Sequence, residues 1–201
     1  MPTYDAILFD FDGVLCDTEP LHFQCWTEIL SPLGVHPTWD WFAANCIGVS
    51  ERGTAEKFCA LVSPPLDFNA LWAQYPRKKE LFRALVAKGV PLAPGAQDLL
   101  RDLYWQFRIA VVSSSARREV QTALETAGIW RYFDSAVCGS EAGRLKPAPD
   151  PYLRAAALLE AKHPLVVEDS AAGVASAQTA GFDCLRISSV AEMAEAVRKW
   201  L

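Results

Sequence analysis

The stretch AILFDFDGVLCDTE, residues 6–19, decides how this chain folds. It opens with an apolar run of the length of a buried β-strand and leads into Asp10 and Asp12, two carboxylates separated by one residue. Gly13 follows, and its freedom at positive φ allows a sharp turn after the strand. Beyond the last paired residue of a strand, the alternation of side-chain direction is no longer enforced. We therefore expect both carboxylates to reach the same side, at the carboxyl end of the strand.

Short apolar strands alternate with helical stretches through the second half of the chain. This alternation is typical of a parallel sheet that helices cover on both faces. We therefore predict an α/β fold with a Rossmann-like core. The predicted strands cover residues 6–10, 108–114, 135–139, 164–169 and 183–188, and the predicted helices of this part cover residues 95–104, 117–127, 151–161, 171–180 and 190–200.

The segment 16–88 has a different pattern. It shows helical periodicity broken by turns that contain Pro and Gly, it has no clear strand, and it holds four of the seven tryptophans. We predict a small all-helical cap domain at residues 16–88, inserted into a core domain formed by residues 1–15 and 89–201. An inserted helical segment of this kind commonly acts as a lid.

Composition narrows the functional classes. The net charge is −5 and the basic residues are scattered, which argues against a nucleic-acid partner because phosphate backbones require a clustered basic face. No apolar run approaches the length of a membrane span, so we expect no membrane partner. The six cysteines show no CxxC spacing and no signal peptide precedes them, which favours free thiols and a cytoplasmic location.

Polar side chains follow four of the predicted strands, at the edge where ligands bind in open parallel sheets. Taken singly, these groups have ordinary explanations, such as a turn, a helix cap or a surface lysine. Together they are better explained by a bound cation, because carboxylates crowded at one sheet edge repel each other. In chain order the groups are Asp10 and Asp12, the serines at 113–115, Lys146, and Glu168 with Asp169.

Four segments, FDFDGVLCDTEPLH, VVSSS, KPAPD and VVEDSAAGVASAQTAG, resemble the sequential motifs of the haloacid dehalogenase superfamily. The similarity is greatest to its small-capped branch, which contains phosphatases and β-phosphoglucomutase-like enzymes. It covers nearly the whole chain. The resemblance implies a Rossmann-like core, a helical cap inserted after the first motif, and Mg²⁺-dependent phosphoryl transfer.

The resemblance also implies catalytic roles for four residues. Asp10 would be the nucleophile that forms an aspartyl-phosphate. Asp12 would be the general acid for the leaving alkoxide and then the base for the attacking water. Ser113 would donate a hydrogen bond to the transferring phosphoryl group, and Lys146 would neutralise its charge and hold Asp10.

A metal site is implied in the same way. Mg²⁺ takes oxygen ligands and accepts few of them from protein. Here the resemblance places it on Asp10, the backbone carbonyl of Asp12, and Asp169. Glu168 would lie nearby, bound directly or through water.

Asp12 separates the reaction classes of the superfamily. Its dehalogenases expel halide, which needs no proton, and lack an acid two residues after the nucleophile, whereas phosphonate-cleaving relatives have Ala there. A serine hydrolase is disfavoured because no GxSxG turn is present and neither His36 nor His163 has an evident acid partner in the sequence. A non-catalytic member that only binds a phosphorylated ligand is a further alternative, although the residues whose loss would indicate it are all intact.

The substrate-binding residues distinguish a phosphatase from a mutase less clearly. Thr18, His22 and Trp26 are placed as in the mutase-like branch, although His22 could equally be a hinge histidine and Trp26 a core residue. The mutase pattern has Arg where this chain has Glu51, and Arg52 is displaced by about 100° on a helix. The predicted substrate-binding set is Thr18, His22, Trp26, Gly48, Arg52, Lys78, Ser114 and Arg117.

These departures favour a phosphatase that hydrolyses a small phosphate monoester, such as a sugar phosphate. Binding both ends of a sugar bisphosphate needs well-placed cations, and a misplaced Arg cannot supply bidentate contacts. A β-phosphoglucomutase-like mutase stays open as the alternative. The expected partner is a small phosphorylated metabolite, and the expected assembly is a monomer or a weak homo-oligomer.

Overall fold

A computed structural model describes residues 4–201 and contains one five-stranded sheet among them. All four strand pairs are parallel, and the spatial order is β3-β2-β1-β4-β5, so the first strand is central. Ala6 is paired with Arg108 on one side and with Pro164 on the other. The strands are β1 (Ala6–Phe9), β2 (Arg108–Ser113), β3 (Ser135–Cys138), β4 (Pro164–Glu168) and β5 (Asp183–Arg186).

The chain forms two compact units. One combines the chain up to Thr18 with Ala87–Leu201 and contains the sheet; the other is Glu19–Val86 and is helical. The helical unit has α1 (Glu19–Leu30), α2 (Trp39–Asn45), α3 (Glu51–Cys59), α4 (Phe68–Trp72) and α5 (Tyr75–Val86). The sheet unit has α6 (Ala96–Leu103), α7 (Arg117–Thr126), α8 (Asp150–Leu158), α9 (Ala171–Thr179) and α10 (Met193–Trp200).

The sheet is a hydrophobic layer closed off by helices. The side chains of β1 and β4 are all buried, as the continuous apolar runs predict for a sheet covered on both faces. On one face, Leu8, Val112 and Val166 pack with Tyr152 and Ala155 of α8. This packing holds α8 against one face of the sheet, and with it the side chains at the start of that helix.

The helical unit has an aromatic core of its own. Trp26 of α1, Phe42 of α2 and Phe58 of α3 are buried in one cluster, and the ring centroids of Trp26 and Phe58 lie 5.4 Å apart. Helices α2, α3 and α4 are capped by the residues that precede them, Thr38, Ser50 and Asp67, whose side chains each accept a hydrogen bond from a first-turn backbone N–H. Side-chain caps therefore fix where these three helices start, and aromatic burial packs the unit.

The predicted α/β fold is confirmed, with shorter elements than predicted. The strands end one or two residues earlier than predicted, so that Asp10, Ser114 and Asp169 directly follow β1, β2 and β4. The last helix begins at Met193 instead of 190, since Ser188 and Glu192 bond to each other across the preceding turn. The predicted domain boundaries after residues 15 and 88 stay predictions. All six cysteines are free, and five are buried. Along residues 4–201, no helix combines the length and the apolar character needed to cross a bilayer.

Candidate active site

The carboxyl ends of three neighbouring strands bring polar side chains to one edge of the sheet. Asp10 directly follows β1, Ser113 ends β2, and Glu168 ends β4. All three residues are buried, and Glu168 has no exposed surface. Buried polar groups are tolerated only when they have partners, so the contacts of these side chains decide what the edge can do.

Lys146 connects these strand ends. Its side chain is only 5% exposed, and its ammonium donates hydrogen bonds to Asp10, to Glu168 Oε1 at 2.7 Å and to the carbonyl of Val112 at 2.9 Å. An ammonium has three protons, and these three acceptors use all of them. Lys146 is therefore held at a fixed position between the ends of β1, β2 and β4.

Electrostatics keeps this lysine charged. Burial lowers the pKa of Lys146, but Asp10 and Glu168 outweigh it and raise that pKa above its usual value. Burial likewise opposes ionisation of Glu168, yet Lys146 brings the pKa of Glu168 below its usual value. For Asp10, burial dominates over Lys146 and raises the pKa well above its usual range. One ammonium therefore does not compensate for all the carboxylates that surround it.

Hydroxyl groups surround Asp12, in contrast to Asp10. Thr18 Oγ1 donates to Asp12 Oδ1 at 2.6 Å, and Ser115 Oγ donates to Asp12 Oδ2 at 2.8 Å. Ser113 Oγ also donates to Oδ2, at 3.4 Å, and accepts a bond from the backbone N–H of Ser115. Both oxygens of Asp12 are thus oriented without a cation.

Three carboxylates form a group with the spacing of a metal site. Oxygens of Asp10, Glu168 and Asp169 all lie within 4.8 Å of one another. Burial and the neighbouring Glu168 raise the pKa of Asp169 to about 6. Gly13 has φ +79°, and a Cβ at this position would lie 2.3 Å from Asp169 Oδ2, so only glycine leaves room for that carboxylate. Crowded oxygen donors with excess negative charge fit a hard divalent cation.

The helical unit contains a separate polar cluster, formed by His22, Trp26, Glu51 and Lys78. Lys78 is 1% exposed and donates to Glu51 Oε1, and its Nζ lies 2.6 Å from His22 Nδ1. Trp26 Nε1 donates to Glu51 Oε2 at 3.0 Å. Burial alone would raise the pKa of Glu51, but the contact with His22 and the charge of Lys78 lower it to about 2. The positive charge of Lys78 is therefore matched by Glu51.

The sequence model of the family described as haloacid dehalogenase-like hydrolase matches residues 7–187 of this chain. The chain belongs to this family. The match includes both the polar sheet edge and the helical unit, and it confirms the family and the hydrolase class that the motifs predicted.

Named relatives of this hydrolase include a phosphatase. A Thermotoga maritima protein named phosphorylated carbohydrates phosphatase is 31% identical, over 89% of this chain and 82% of its own length. The Arabidopsis thaliana protein SUPPRESSOR OF QUENCHING 1, chloroplastic, is 32% identical over 96% of this chain, but this chain spans only 18% of that protein. The crystal structure of CbbY from Rhodobacter sphaeroides in complex with phosphate is 28% identical with a TM-score of 0.70, covering 90% of this chain and 84% of that one.

The structure gives the predicted substrate-binding residues of this hydrolase different surroundings. Gly48 is exposed, and Arg52 is exposed, pairs with Glu56 and lies over the ring of Phe68. Ser114 is exposed and lies in the chain between Ser113 and Ser115, which both bond to Asp12.

Arg117 is engaged elsewhere in the sheet unit. Its Nε and Nη2 donate to the two carboxylate oxygens of Glu141 at 2.6 and 2.7 Å, and Nη2 also donates to the carbonyl of Ala136. A substrate role for Arg117 stays a prediction, and it would compete with this pair.

Sequence reasoning did not predict the contacts of four residues at these sites. Ser115 is the third of three serines, and only the turn after β2 shows which of them reach Asp12. Tyr152 lies in an apolar stretch of α8 and reads as a core residue, yet its hydroxyl bonds to Glu168. Gly173 leaves the space that the buried carboxylate of Glu168 occupies. Glu51 bonds to Lys78, a contact on another helix that is set by tertiary packing.

Proposed function

We propose that the protein is a Mg²⁺-dependent phosphatase that hydrolyses a small phosphate monoester, such as a sugar phosphate, through an aspartyl-phosphate. The observation that carries this is the contrast between two neighbouring aspartates. Asp10 is bound to the ammonium of Lys146, whereas Asp12 is bound to hydroxyl groups. Such a pair supplies one group that attacks and one group that moves a proton.

In the first step a carboxylate oxygen of Asp10 attacks phosphorus, and the bond from phosphorus to the substrate oxygen breaks. The proton that the leaving alkoxide takes up comes from Asp12. Lys146 holds Asp10 in line and offsets charge on the phosphoryl oxygens, and Ser113 donates to one of them. In the second step water attacks the phosphoryl group, its proton passes to Asp12, and Asp10 and inorganic phosphate are released.

The metal would be held by Asp10, Asp169 and the backbone carbonyl of Asp12, with Glu168 bound directly or through water. When bound, Mg²⁺ supplies positive charge that offsets the developing charge on the phosphoryl oxygens. The fit rests on three carboxylates whose oxygens lie within 4.8 Å and on the space that Gly13 leaves for Asp169.

The polar cluster of the helical unit supports a phosphatase over a mutase. A mutase must grip a second phosphate, and a free cation is the group that does so. Here Lys78 is neutralised by Glu51, which stands where the mutase pattern has Arg. The name of the Thermotoga relative, a phosphorylated carbohydrates phosphatase, points to the same substrate class.

Several residues keep proposed roles in binding the part of the substrate beyond its phosphate. They are His22, Trp26, Gly48, Arg52 and Lys78 of the helical unit, and Thr18, Ser114 and Arg117 of the sheet unit. A small phosphorylated metabolite as partner, a cytoplasmic location, and a monomeric or weakly oligomeric state belong to the same proposal.

The test is phosphate release from a panel of small phosphate monoesters, with and without Mg²⁺. We expect wild-type protein to release phosphate from one compound class only with Mg²⁺, and Asp10→Asn to release none. The matched control is Asp40→Asn, an exposed aspartate of α2, purified in the same way, which should behave as wild type.

Release that persists in Asp10→Asn would contradict the mechanism. Silence across the panel would favour the mutase, which is then assayed with β-glucose 1-phosphate and a trace of glucose 1,6-bisphosphate. Formation of glucose 6-phosphate in that mixture would replace the phosphatase proposal.

A further inference from the structure

The carboxylate of Glu168 is bound by protein donors on both oxygens. Oε2 accepts from the backbone N–H groups of Asp169 and Ser170 and from Ser170 Oγ, at 3.0–3.1 Å. Oε1 accepts from Lys146 and from the hydroxyl of Tyr152, both at 2.7 Å. A carboxylate offers about four lone-pair sites. These donors therefore use its accepting capacity and leave none for a direct bond to a metal ion.

Among the partners of Glu168, Tyr152 is a residue to which the proposed mechanism gives no role. It lies in the first turn of α8 and is fully buried, in the same core cluster as residues of β1, β2 and β4. Its ring centroid lies 4.8 Å from Lys146 Nζ, so the same side chain contacts both members of the Lys146–Glu168 pair. A buried tyrosine hydroxyl needs an acceptor, and within residues 4–201 Glu168 Oε1 is the acceptor of Tyr152.

The geometry points to Tyr152 as a positioning residue that sets where Lys146 stands between Glu168 and Asp10. Its hydroxyl shares Glu168 Oε1 with the ammonium. Without that hydroxyl, Lys146 would be the sole donor to a buried carboxylate oxygen and would move toward Glu168, away from Asp10. Glu168 then acts as the anchor of Lys146 and reaches the metal only through water. This inference rests on the proposed function for its kinetic consequence.

Tyr152→Phe isolates the hydroxyl, because the ring and its contact with Lys146 remain. We expect kcat to fall about tenfold with KM and the Mg²⁺ dissociation constant, measured by calorimetry, unchanged within twofold. The matched control is Tyr132→Phe, which removes another buried tyrosine hydroxyl, one bonded to Arg131. That control should lower the melting temperature without changing kcat.

A second measurement does not depend on turnover. In protein labelled with ¹⁵N-lysine, the Nζ protons of Lys146, assigned with Lys146→Arg, should exchange slowly because all three have acceptors. We expect their exchange to accelerate at least fivefold in Tyr152→Phe and to stay unchanged in Tyr132→Phe.

The outcomes separate this inference from the proposed function. If wild-type protein shows no Mg²⁺-dependent phosphate release, the proposed function fails, and the lysine exchange still decides the role of Tyr152. Unchanged exchange in Tyr152→Phe would overturn the positioning role. An increase in the Mg²⁺ dissociation constant of Tyr152→Phe that accounts for its loss of kcat would also overturn the positioning role. That result would indicate that Glu168 is a direct metal ligand.

Discussion

At the residue scale, the two aspartates after β1 differ in the groups that hold them. An ammonium stabilises a carboxylate as an anion, whereas a hydroxyl bonds to a carboxyl group in either protonation state. Asp10 has the first kind of partner, and Asp12 has the second kind, from Thr18, Ser113 and Ser115. The proposed division between a nucleophile and a proton carrier therefore follows from neighbours rather than from the aspartates themselves.

Ser115→Ala should test this orientation of Asp12. The substitution removes the 2.8 Å bond to Asp12 Oδ2 and leaves the longer bond from Ser113. Loss of a hydrogen bond to a charged group costs about 1.5 kcal/mol, so we expect kcat to fall about tenfold with little change in KM. Steady-state kinetics on the substrate found in the panel measures this.

The control for that experiment is Ser189→Ala, the same change at an exposed serine of the sheet unit. It should leave both constants at wild-type values. An unchanged kcat in Ser115→Ala would show that Thr18 and Ser113 orient Asp12 without help from Ser115.

Sequence reasoning found the site residues that lie at or after the ends of strands. It missed those whose contacts depend on tertiary packing. Asp10, Lys146 and Glu168 follow or end predicted strands or lie in the loop between them, so their meeting could be predicted from a parallel sheet. Tyr152 could not be found in this way. Whether its hydroxyl reaches Glu168 depends on the rotation of α8 against the sheet, which no local pattern encodes.

At the element scale, α3 and α9 begin alike but differ in what surrounds their first turn. Each has a serine cap, Ser50 or Ser170, that accepts from the backbone N–H of a glycine three residues on. A Cβ at Gly53 would lie 2.9 Å from the end of the Val49 side chain, which can turn away. A Cβ at Gly173 would lie 1.6 Å from Glu168 Oε1, in a buried carboxylate held by Lys146.

Gly173→Ala and Gly53→Ala therefore form a matched pair. Helix propensity alone favours alanine by about 1 kcal/mol at either position. We expect Gly53→Ala to change the free energy of unfolding by less than about 1 kcal/mol, and Gly173→Ala to destabilise the protein by at least about 2 kcal/mol through overpacking. Urea unfolding measures both.

Gly173→Ala should also lower kcat more than Gly53→Ala does, because the displaced carboxylate is the anchor of Lys146. Equal stability of the two variants would show that Glu168 can leave its position at no cost. That result would remove the physical basis for its role as an anchor.

At the scale of the whole molecule, the order of the helices and strands could be predicted from the sequence. The contacts between residues far apart in the chain could not. Alternating apolar strands and helices predicted the parallel sheet, and the strandless segment 16–88 predicted the helical insertion. The neutralisation of Lys78 by Glu51 joins residues 27 positions apart in the chain, on different helices. Contacts of that kind arise from tertiary packing, which a single sequence does not specify.

Excess negative charge at the sheet edge should make the stability of the whole chain depend on Mg²⁺. Oxygens of Asp10, Glu168 and Asp169 lie within 4.8 Å of one another, and Lys146 pairs with Asp10 and Glu168. An ion that binds this group in the folded state and not in the unfolded chain stabilises the fold. At ten times its dissociation constant such an ion adds about 1.4 kcal/mol, which corresponds to about 3–6 °C in a chain of this length. Thermal unfolding with Mg²⁺ and then with excess chelator measures this shift.

Asp169→Asn should reduce the Mg²⁺-dependent shift in melting temperature to below about 1 °C. The control Asp98→Asn, a change at an exposed aspartate of α6, should keep the full shift. A full shift in Asp169→Asn would place the ion elsewhere on the molecule, and the carboxylates at the sheet edge would then need another explanation.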